Sequence, residues 1–164
     1  LIKTFIANKN IDAVFPFGYP YYYDIHALRA SGWNTRSPWE VVSKINKYLI
    51  VGKLFTRYFV IYRKQKRYYK KRPLVNVDSA FGGIGLYKVN KNLFDKVKYS
   101  IDMNLGNYSC EHTKFNSYFS NKFIDSSWRI PSPNEHIEFK LFKINKKVGY
   151  FFTSIINDIK KLFQ

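Results

Sequence analysis

The sequence predicts a mixed α/β fold, and three local patterns lead to that prediction. A short apolar run at Ile11–Phe17 is closed by proline and glycine, which is typical of a β-strand. Ser37 can cap a helix in which Pro38 takes the first position and Glu40 completes a capping box. The segment 74–90 reads as a strand, a glycine turn and a second strand. With 164 residues, the chain is long enough for one domain with a substantial core.

Two segments follow the first strand along the chain. The tyrosine-rich segment 19–33 reads as a second strand or as a loop that enters one, with Gly32 as a break. The helix that begins at Pro38 is predicted to continue as a basic, aromatic helix over 38–72, because Pro73 then closes the segment.

The C-terminal part contains a second helix, a strand and an amphipathic tail. The helix is expected to open at Ser109 or Cys110 and to carry Glu111 and His112, and the segment 123–136 is strand-like until two prolines interrupt it. Apolar residues in the tail recur at helical spacing, at Phe152, Ile155, Ile156, Ile159, Leu162 and Phe163. We therefore expect a main domain over 1–140 and an amphipathic helix over 141–164.

The charge of the chain predicts attraction to a polyanion. Lys and Arg number 28 against 11 Asp and Glu, which gives a formal net charge of +17. The basic residues within 44–72 alternate with aromatic and aliphatic ones, and no acid occurs over 41–77. This pattern fits a helix lying on an anionic membrane surface, and it fits equally a core-packing helix with a solvated basic face. Nucleic acid is not the expected partner, because no helix-turn-helix, RNA-binding signature or zinc spacing occurs.

The cysteine count and the length of the apolar runs limit the cellular setting. Cys110 has no partner in the chain, so neither an internal disulfide nor a cysteine zinc site can form. Every apolar run is far shorter than the ~20 residues of a spanning helix, and no signal peptide is recognisable. These observations favour a cytoplasmic protein, for which any association with a membrane would be peripheral.

A glycine turn and an acid–histidine pair are the candidate functional features. The turn is neither a P-loop nor a dinucleotide fingerprint, but it offers bare backbone beside Asp78 and Ser79 on which a sugar ring could lie. The alternative is a simple hairpin or bulge, which the turn favours when it is taken alone. Glu111 and His112 are consecutive, so on a helix they point about 100° apart and would serve different atoms of one site. The alternative is an ordinary helix start with an acid in its first turn.

Read in order, four motifs resemble a known family. They are Tyr23-Asp24 with Ala27-Leu28-Arg29 and Trp33, then "VDSAFGGIGLYKV", then "CEHTKFN", then "PNEH" ending at His136. This succession is similar to the second half of an A-type glycosyltransferase domain, in the family of capsule-associated and viral sugar transferases related to fungal capsular mannosyltransferases. It spans about Ile11 to His136. The resemblance implies a partial fold, a mixed sheet with flanking helices that lacks most of the N-terminal nucleotide-binding βαβ half.

The resemblance also implies roles for individual residues. Glu111 would take the proton from the attacking hydroxyl group of the acceptor, and His136 would be a ligand of a divalent cation on the donor diphosphate. The residues expected to contact substrate are Asp24, Arg29, Trp33, Asp78, Ser79, Gly82, Gly83 and His112. The implied partners are a nucleotide-sugar donor and a glycan or lipid-linked acceptor, and the implied cofactor is Mn²⁺ or Mg²⁺.

The chain also departs from the family pattern. It contains no Asp-x-Asp motif, the usual metal-binding element of these enzymes, and the ten residues before Ile11 leave no room for the nucleotide-binding half. The first residue is Leu1 rather than Met. We therefore expect either a fragment of a longer enzyme or a degenerate, inactive relative. A non-enzymatic polyanion-binding module and an assembly subunit with a relic site remain as alternatives.

Overall fold

The computed structural model describes residues 2–46, 58–65, 74–89, 91–100 and 110–133. These residues form a four-stranded mixed sheet with short helices, which confirms the mixed α/β class. The strands are β1 (Ala13–Tyr19), β2 (Leu74–Asn76), β3 (Leu86–Tyr87) and β4 (Lys122–Pro131). The helices are α1 (Ile2–Ala7), α2 (Pro38–Asn46), a π-helical turn (Tyr58–Tyr62) that continues into α3 (Arg63–Gln65), α4 (Lys91–Phe94) and α5 (Glu111–Asn116).

Strand β1 lies inside the sheet, whose order is β2-β4-β1-β3. It pairs in parallel with β4 and antiparallel with β3, and six of its seven residues are buried. The register with β4 shifts between Pro16 and Phe17, which face Asp125 and Arg129. A proline in an inner strand cannot donate to the ladder, so an irregularity beside Pro16 is where it is tolerated.

The glycine segment does not form a hairpin. Strand β2 pairs with β4 and strand β3 pairs with β1, so the two strands that flank the glycines lie at opposite edges of the sheet. The segment 77–85 therefore crosses from one edge to the other. It passes close to β1, because a Cβ atom placed on Gly82 would lie 3.3 Å from the carbonyl oxygen of Pro16. Both predicted strands exist, but the hairpin alternative is wrong.

The tyrosine-rich segment after β1 is a loop in which buried residues alternate with partly buried ones. It contains turns and isolated bridges rather than a strand, so the loop alternative is the one observed. The Asn34 amide donates hydrogen bonds to the carbonyl oxygens of Ile25 (3.1 Å) and Leu28 (2.8 Å). A shared apolar core holds the loop against the sheet. In this core, the loop residues Tyr22, Ile25, Leu28 and Trp33 pack with the strand residues Phe15, Phe17 and Ile124.

The predicted basic helix is described only in parts. Its start is confirmed, since α2 begins at Pro38. Within α2, the Lys44 ammonium group contacts the Glu40 carboxylate at 2.6 Å. A small apolar cluster of Val42, Val60 and Ile61 packs α2 against the π-helical turn. The rest of 38–72 and the whole tail 141–164 lie outside the described residues. Within the described ranges, none of the helices has both the length and the apolar character needed to cross a membrane.

Candidate functional site

Residues 79–83, here called the glycine corner, are held in place by two buried side chains. The Tyr22 hydroxyl group accepts a hydrogen bond from the Phe81 N–H (3.1 Å) and donates one to the Phe81 carbonyl oxygen. The Asn116 amide donates to Ser79 Oγ (2.9 Å) and to the Ala80 carbonyl oxygen (2.7 Å). Such buried, paired polar groups restrict the backbone strongly, because breaking one leaves others unsatisfied. The corner is therefore a defined surface.

Cys110 is the N-cap of α5 and one of the two residues at which the sequence predicts this helix to open. This residue is extended, with φ −108° and ψ 128°, and its carbonyl oxygen accepts hydrogen bonds from the Thr113 N–H (2.9 Å) and hydroxyl group (2.5 Å). Burial raises the pKa of the Cys110 thiol to about 11, so the thiol stays protonated near neutral pH. Asn116 lies at the other end of α5, and its contact with the glycine corner fixes which way the helix faces.

The first turn of α5 places Glu111 and His112 beside the glycine corner. The His112 ring stacks on the Phe81 ring, with centroids 3.7 Å apart and planes 15° apart. The Tyr99 hydroxyl oxygen lies 3.4 Å from Glu111 Oε1 and 3.2 Å from both ring nitrogens of His112. Although the Glu111 and His112 side chains leave the helix in different directions, they share this partner. The Glu111 carboxylate is half-buried.

The loop after β1 supplies a second group of polar residues. The Arg29 guanidinium group donates to the carbonyl oxygens of His26 (2.9 Å) and Leu28 (2.7 Å), and Asp24 Oδ1 accepts from the Ala27 N–H (3.1 Å). The backbone N–H of Arg29 also donates to the Ser79 carbonyl oxygen at 2.7 Å. This bridge joins the loop directly to the start of the glycine corner.

Electrostatic interactions connect the two groups. Burial lowers the pKa of His112, while the carboxylates of Asp24 and Glu111 act in the opposite direction. Burial, and to a smaller extent the Arg29 charge, lower the pKa of His26, while the Glu111 carboxylate raises it. Both imidazoles are therefore neutral near pH 7 and can accept a hydrogen bond. The carboxylate of Glu111 thus acts on side chains from both the loop and the helix.

The predicted site residues divide into those near this region and those elsewhere. Near it are Asp24, Arg29, Ser79, Gly83, Glu111 and His112. Gly83 has φ +88° and is exposed, as a corner open to a ligand requires, whereas Gly82 is buried against β1. Asp78 is exposed. Burial lowers the pKa of Lys122, and the Asp78 carboxylate acts in the opposite direction. His136 lies outside the described residues.

Trp33 lies in the core. It is only 5% exposed, its ring packs against Phe17 and Tyr22, and its indole N–H donates to the Lys64 carbonyl oxygen at 3.0 Å. A sugar needs an open aromatic face, which this indole lacks. We therefore assign Trp33 to the core, where it anchors α3, rather than to the cleft in which sequence reasoning placed it.

Four neighbouring residues were missed by sequence reasoning. Phe81 and Asn116 lie inside the quoted motifs, so their positions carried a signal, but an apolar and an amide side chain suggested no chemistry. His26 lies two residues after Asp24 and gave no metal spacing. Tyr99 stands in a lysine-rich stretch with no motif, and only the folded chain brings it to the site.

The implied divalent-cation site does not fit the residues in view. Throughout the ranges that the structure describes, no three His, Cys, Asp or Glu side chains are grouped as a metal ion requires. Asp24 is the acidic residue that the first motif offers as a metal ligand, and its Oδ1 already accepts a hydrogen bond from the Ala27 N–H. The described residues therefore do not make up a cation site. Binding of Mn²⁺ or Mg²⁺ with His136 as a ligand stays a prediction.

A groove of about 560 Å³ lies beside the end of β3 and the residues that follow α5. Its lining combines Asp12 and Lys88 with apolar and aromatic side chains, namely Tyr87, Val89, Leu93, Tyr118 and Phe119, and with Ser120. The Tyr87 hydroxyl group donates to Asn116 Oδ1 at 3.0 Å. The groove and the glycine corner are thus connected through one buried amide, but the candidate site residues do not line the groove.

Comparisons of the chain with protein-family models, with curated proteins and with solved structures found no match. The resemblance to A-type glycosyltransferases therefore depends on the four motifs alone. What the site can do must be inferred from its own side chains.

Proposed function

We propose that the protein is a glycosyltransferase, or part of one, that transfers a sugar from a nucleotide-sugar donor to a glycan or lipid-linked acceptor. The observation that carries the proposal is the position of Glu111. This half-buried carboxylate lies beside a histidine whose ring stacks on the glycine corner, and it acts electrostatically on the loop of Asp24 and Arg29. A carboxylate whose neighbouring histidine stacks on the glycine corner is placed to activate a hydroxyl group of a sugar bound there.

The proposed chemistry is a displacement at the anomeric carbon of the donor. Glu111 takes the proton of an acceptor hydroxyl group, the oxygen bonds to the anomeric carbon, and the bond to the diphosphate breaks with its electron pair leaving on the diphosphate. His112 helps to shape the acceptor pocket beside Glu111, and the exposed backbone at Gly83 lets a sugar ring approach closely. The cationic Arg29, in the neighbouring loop, offsets negative charge that develops on the departing diphosphate.

The test replaces Glu111 by Gln, which keeps the shape and removes the basic oxygen. The protein, with any residues that its gene encodes before Leu1, is incubated with a panel of nucleotide sugars and acceptors, and released nucleoside diphosphate is measured. We expect at least a ~100-fold lower rate for Glu111→Gln with an unchanged unfolding midpoint. Asp95→Asn, which removes an exposed carboxylate beside α4, is the matched control and should keep full activity. Equal activity in both variants would contradict the proposal.

A specific observation favours a second function, docking on an anionic surface. In the described part of the basic segment, Val60 and Ile61 pack inward, while Phe59 is 43% exposed and Arg63 is exposed. An exposed aromatic ring beside a cation suits the headgroup region of an anionic membrane. This function could accompany the transferase or replace it.

Vesicle co-sedimentation tests the second function. We expect binding to vesicles with phosphatidylserine, little binding to pure phosphatidylcholine, and loss of binding at high salt. Reversing the charges at the basic positions from Arg63 to Arg72 should abolish binding, while Glu111→Gln should leave it unchanged. Binding that ignores salt and charge reversal would refute the docking role.

A further inference from the structure

Tyr99 is an exposed tyrosine whose hydroxyl group contacts side chains of α5. The residue is 58% exposed, yet its oxygen lies 3.4 Å from the Glu111 carboxylate and 3.2 Å from the His112 ring nitrogens. Its ring also meets the rings of His112 (5.4 Å, 75°) and Phe115 (5.7 Å, 61°) edge to face. These contacts hold the hydroxyl group toward the site although solvent is available to it.

We propose that Tyr99 is a positioning residue that holds the Glu111 carboxylate and the His112 imidazole in the arrangement required for proton transfer from the acceptor. This inference rests on the proposed function, since it gives Tyr99 a role in the same reaction. It also names a residue that no motif of the sequence indicates.

The geometry of α5 explains why a third group is needed. Consecutive helical residues point about 100° apart, so Glu111 and His112 cannot orient each other directly. Phe81 covers one face of the His112 ring and fixes its plane, but it offers the carboxylate no hydrogen bond. The Tyr99 hydroxyl group, arriving from the segment 91–100, is the group that reaches both.

The hydroxyl group is suited to this role because it keeps its proton. Partial burial and the Glu111 carboxylate raise the pKa of Tyr99 to about 12, with smaller contributions from Cys110 and Asp24. One O–H can donate to only one acceptor at a time. While His112 is neutral, the proton can go to the imidazole or to the carboxylate. When His112 is protonated, the imidazole donates to the Tyr99 oxygen, and the Glu111 carboxylate is an acceptor within reach of the O–H.

This alternation has a mechanistic consequence. With His112 neutral, Tyr99 can bond to the imidazole and leave Glu111 free to take the acceptor proton. With His112 protonated, the O–H occupies Glu111 and weakens it as a base. The charged groups that act on His112 are Asp24 and Glu111, and both favour the protonated imidazole against burial. Tyr99 therefore couples the state of His112 to the availability of Glu111.

The first measurement is the kinetics of Tyr99→Phe, which removes the hydroxyl group and keeps the ring. We expect kcat to fall about tenfold with KM changed less than about twofold, because the lost hydroxyl group sets the arrangement of His112 and Glu111 and does not bind the substrate. Tyr19→Phe is the matched control, since Tyr19 is 51% exposed and its ring lies under Arg129, and it should leave kcat unchanged. In the Glu111→Gln background, Tyr99→Phe should cause no further loss.

The second measurement does not depend on turnover. The imidazole signals of His112, assigned with His112→Gln, are followed by NMR against pH. We expect the midpoint of the His112 titration to move by about 0.3 pH units or more in Tyr99→Phe but not in Tyr19→Phe.

The two proposals fail in different ways. If Glu111→Gln abolishes transfer but Tyr99→Phe changes neither kcat nor the His112 titration, the positioning role is overturned and the transferase stands. If Glu111→Gln keeps full activity, the transferase is overturned, and the positioning role falls with it even where the His112 titration moves.

Discussion

The loop after β1 and the rim formed by Tyr99, Glu111 and His112 are both rich in aromatic and polar side chains, yet they are built differently. In the loop, Tyr22 and Asn34 are 1% exposed, and each binds backbone groups of a distant segment or of the loop itself. At the rim, Tyr99 is 58% exposed and contacts titratable side chains. Buried neutral hydrogen bonds therefore define the shape of this region, while its partly exposed titratable groups are the side chains able to exchange a proton.

The largest expected effect separates Trp33 in the buried region from Tyr99 at the rim. Trp33→Ala should lower the free energy of unfolding by about 4 kcal/mol, because it opens a cavity between Phe17 and Tyr22 and removes the hydrogen bond to Lys64. Urea denaturation followed by circular dichroism measures the change. Tyr99→Ala is the control and should change the free energy by less than about 1 kcal/mol. Equal losses in the two variants would abolish the distinction between core and rim.

A smaller effect is expected at Asn116, where the buried region supports the corner directly. Asn116→Ala should lower the free energy of unfolding by about 3 kcal/mol, because Ser79 Oγ, the Ala80 carbonyl oxygen and the Tyr87 hydroxyl group each lose a partner. Denaturation of the variant measures this loss. Ser117→Ala, at the exposed neighbour whose hydroxyl group bonds only locally to Lys114, should cost less than about 1 kcal/mol. If Asn116→Ala proves as mild as Ser117→Ala, the amide does not hold the glycine corner.

Local patterns predicted the elements whose causes are local. The helix start at Pro38 and the helix start after Cys110 follow from residues within one turn, and both occur as expected. The strand predicted at Ile11–Phe17 occurs at Ala13–Tyr19, since a buried apolar run signals its presence more sharply than its ends. The strand predicted before Pro131 also occurs, as β4.

Pairing and burial were not predictable in the same way. The segment 74–90 contains two strands joined by glycines, a pattern that also suits a hairpin, and nothing local reveals that β1 and β4 separate them. Trp33 follows a motif of the family, and a tryptophan is equally suited to a core or to a sugar surface. Tyr99 reaches the site from a lysine-rich stretch, so its contact with Glu111 depends on how distant segments pack.

Neighbouring residues alone establish the mixed class, the helix starts, the strong basic charge and the residue types available for chemistry, because capping, periodicity and charge are local properties. The strand order, the burial of Trp33 and the meeting of Phe81, Tyr99, Glu111 and His112 arise only when the chain folds. These depend on which apolar surfaces and polar groups, far apart in the chain, satisfy one another best when packed.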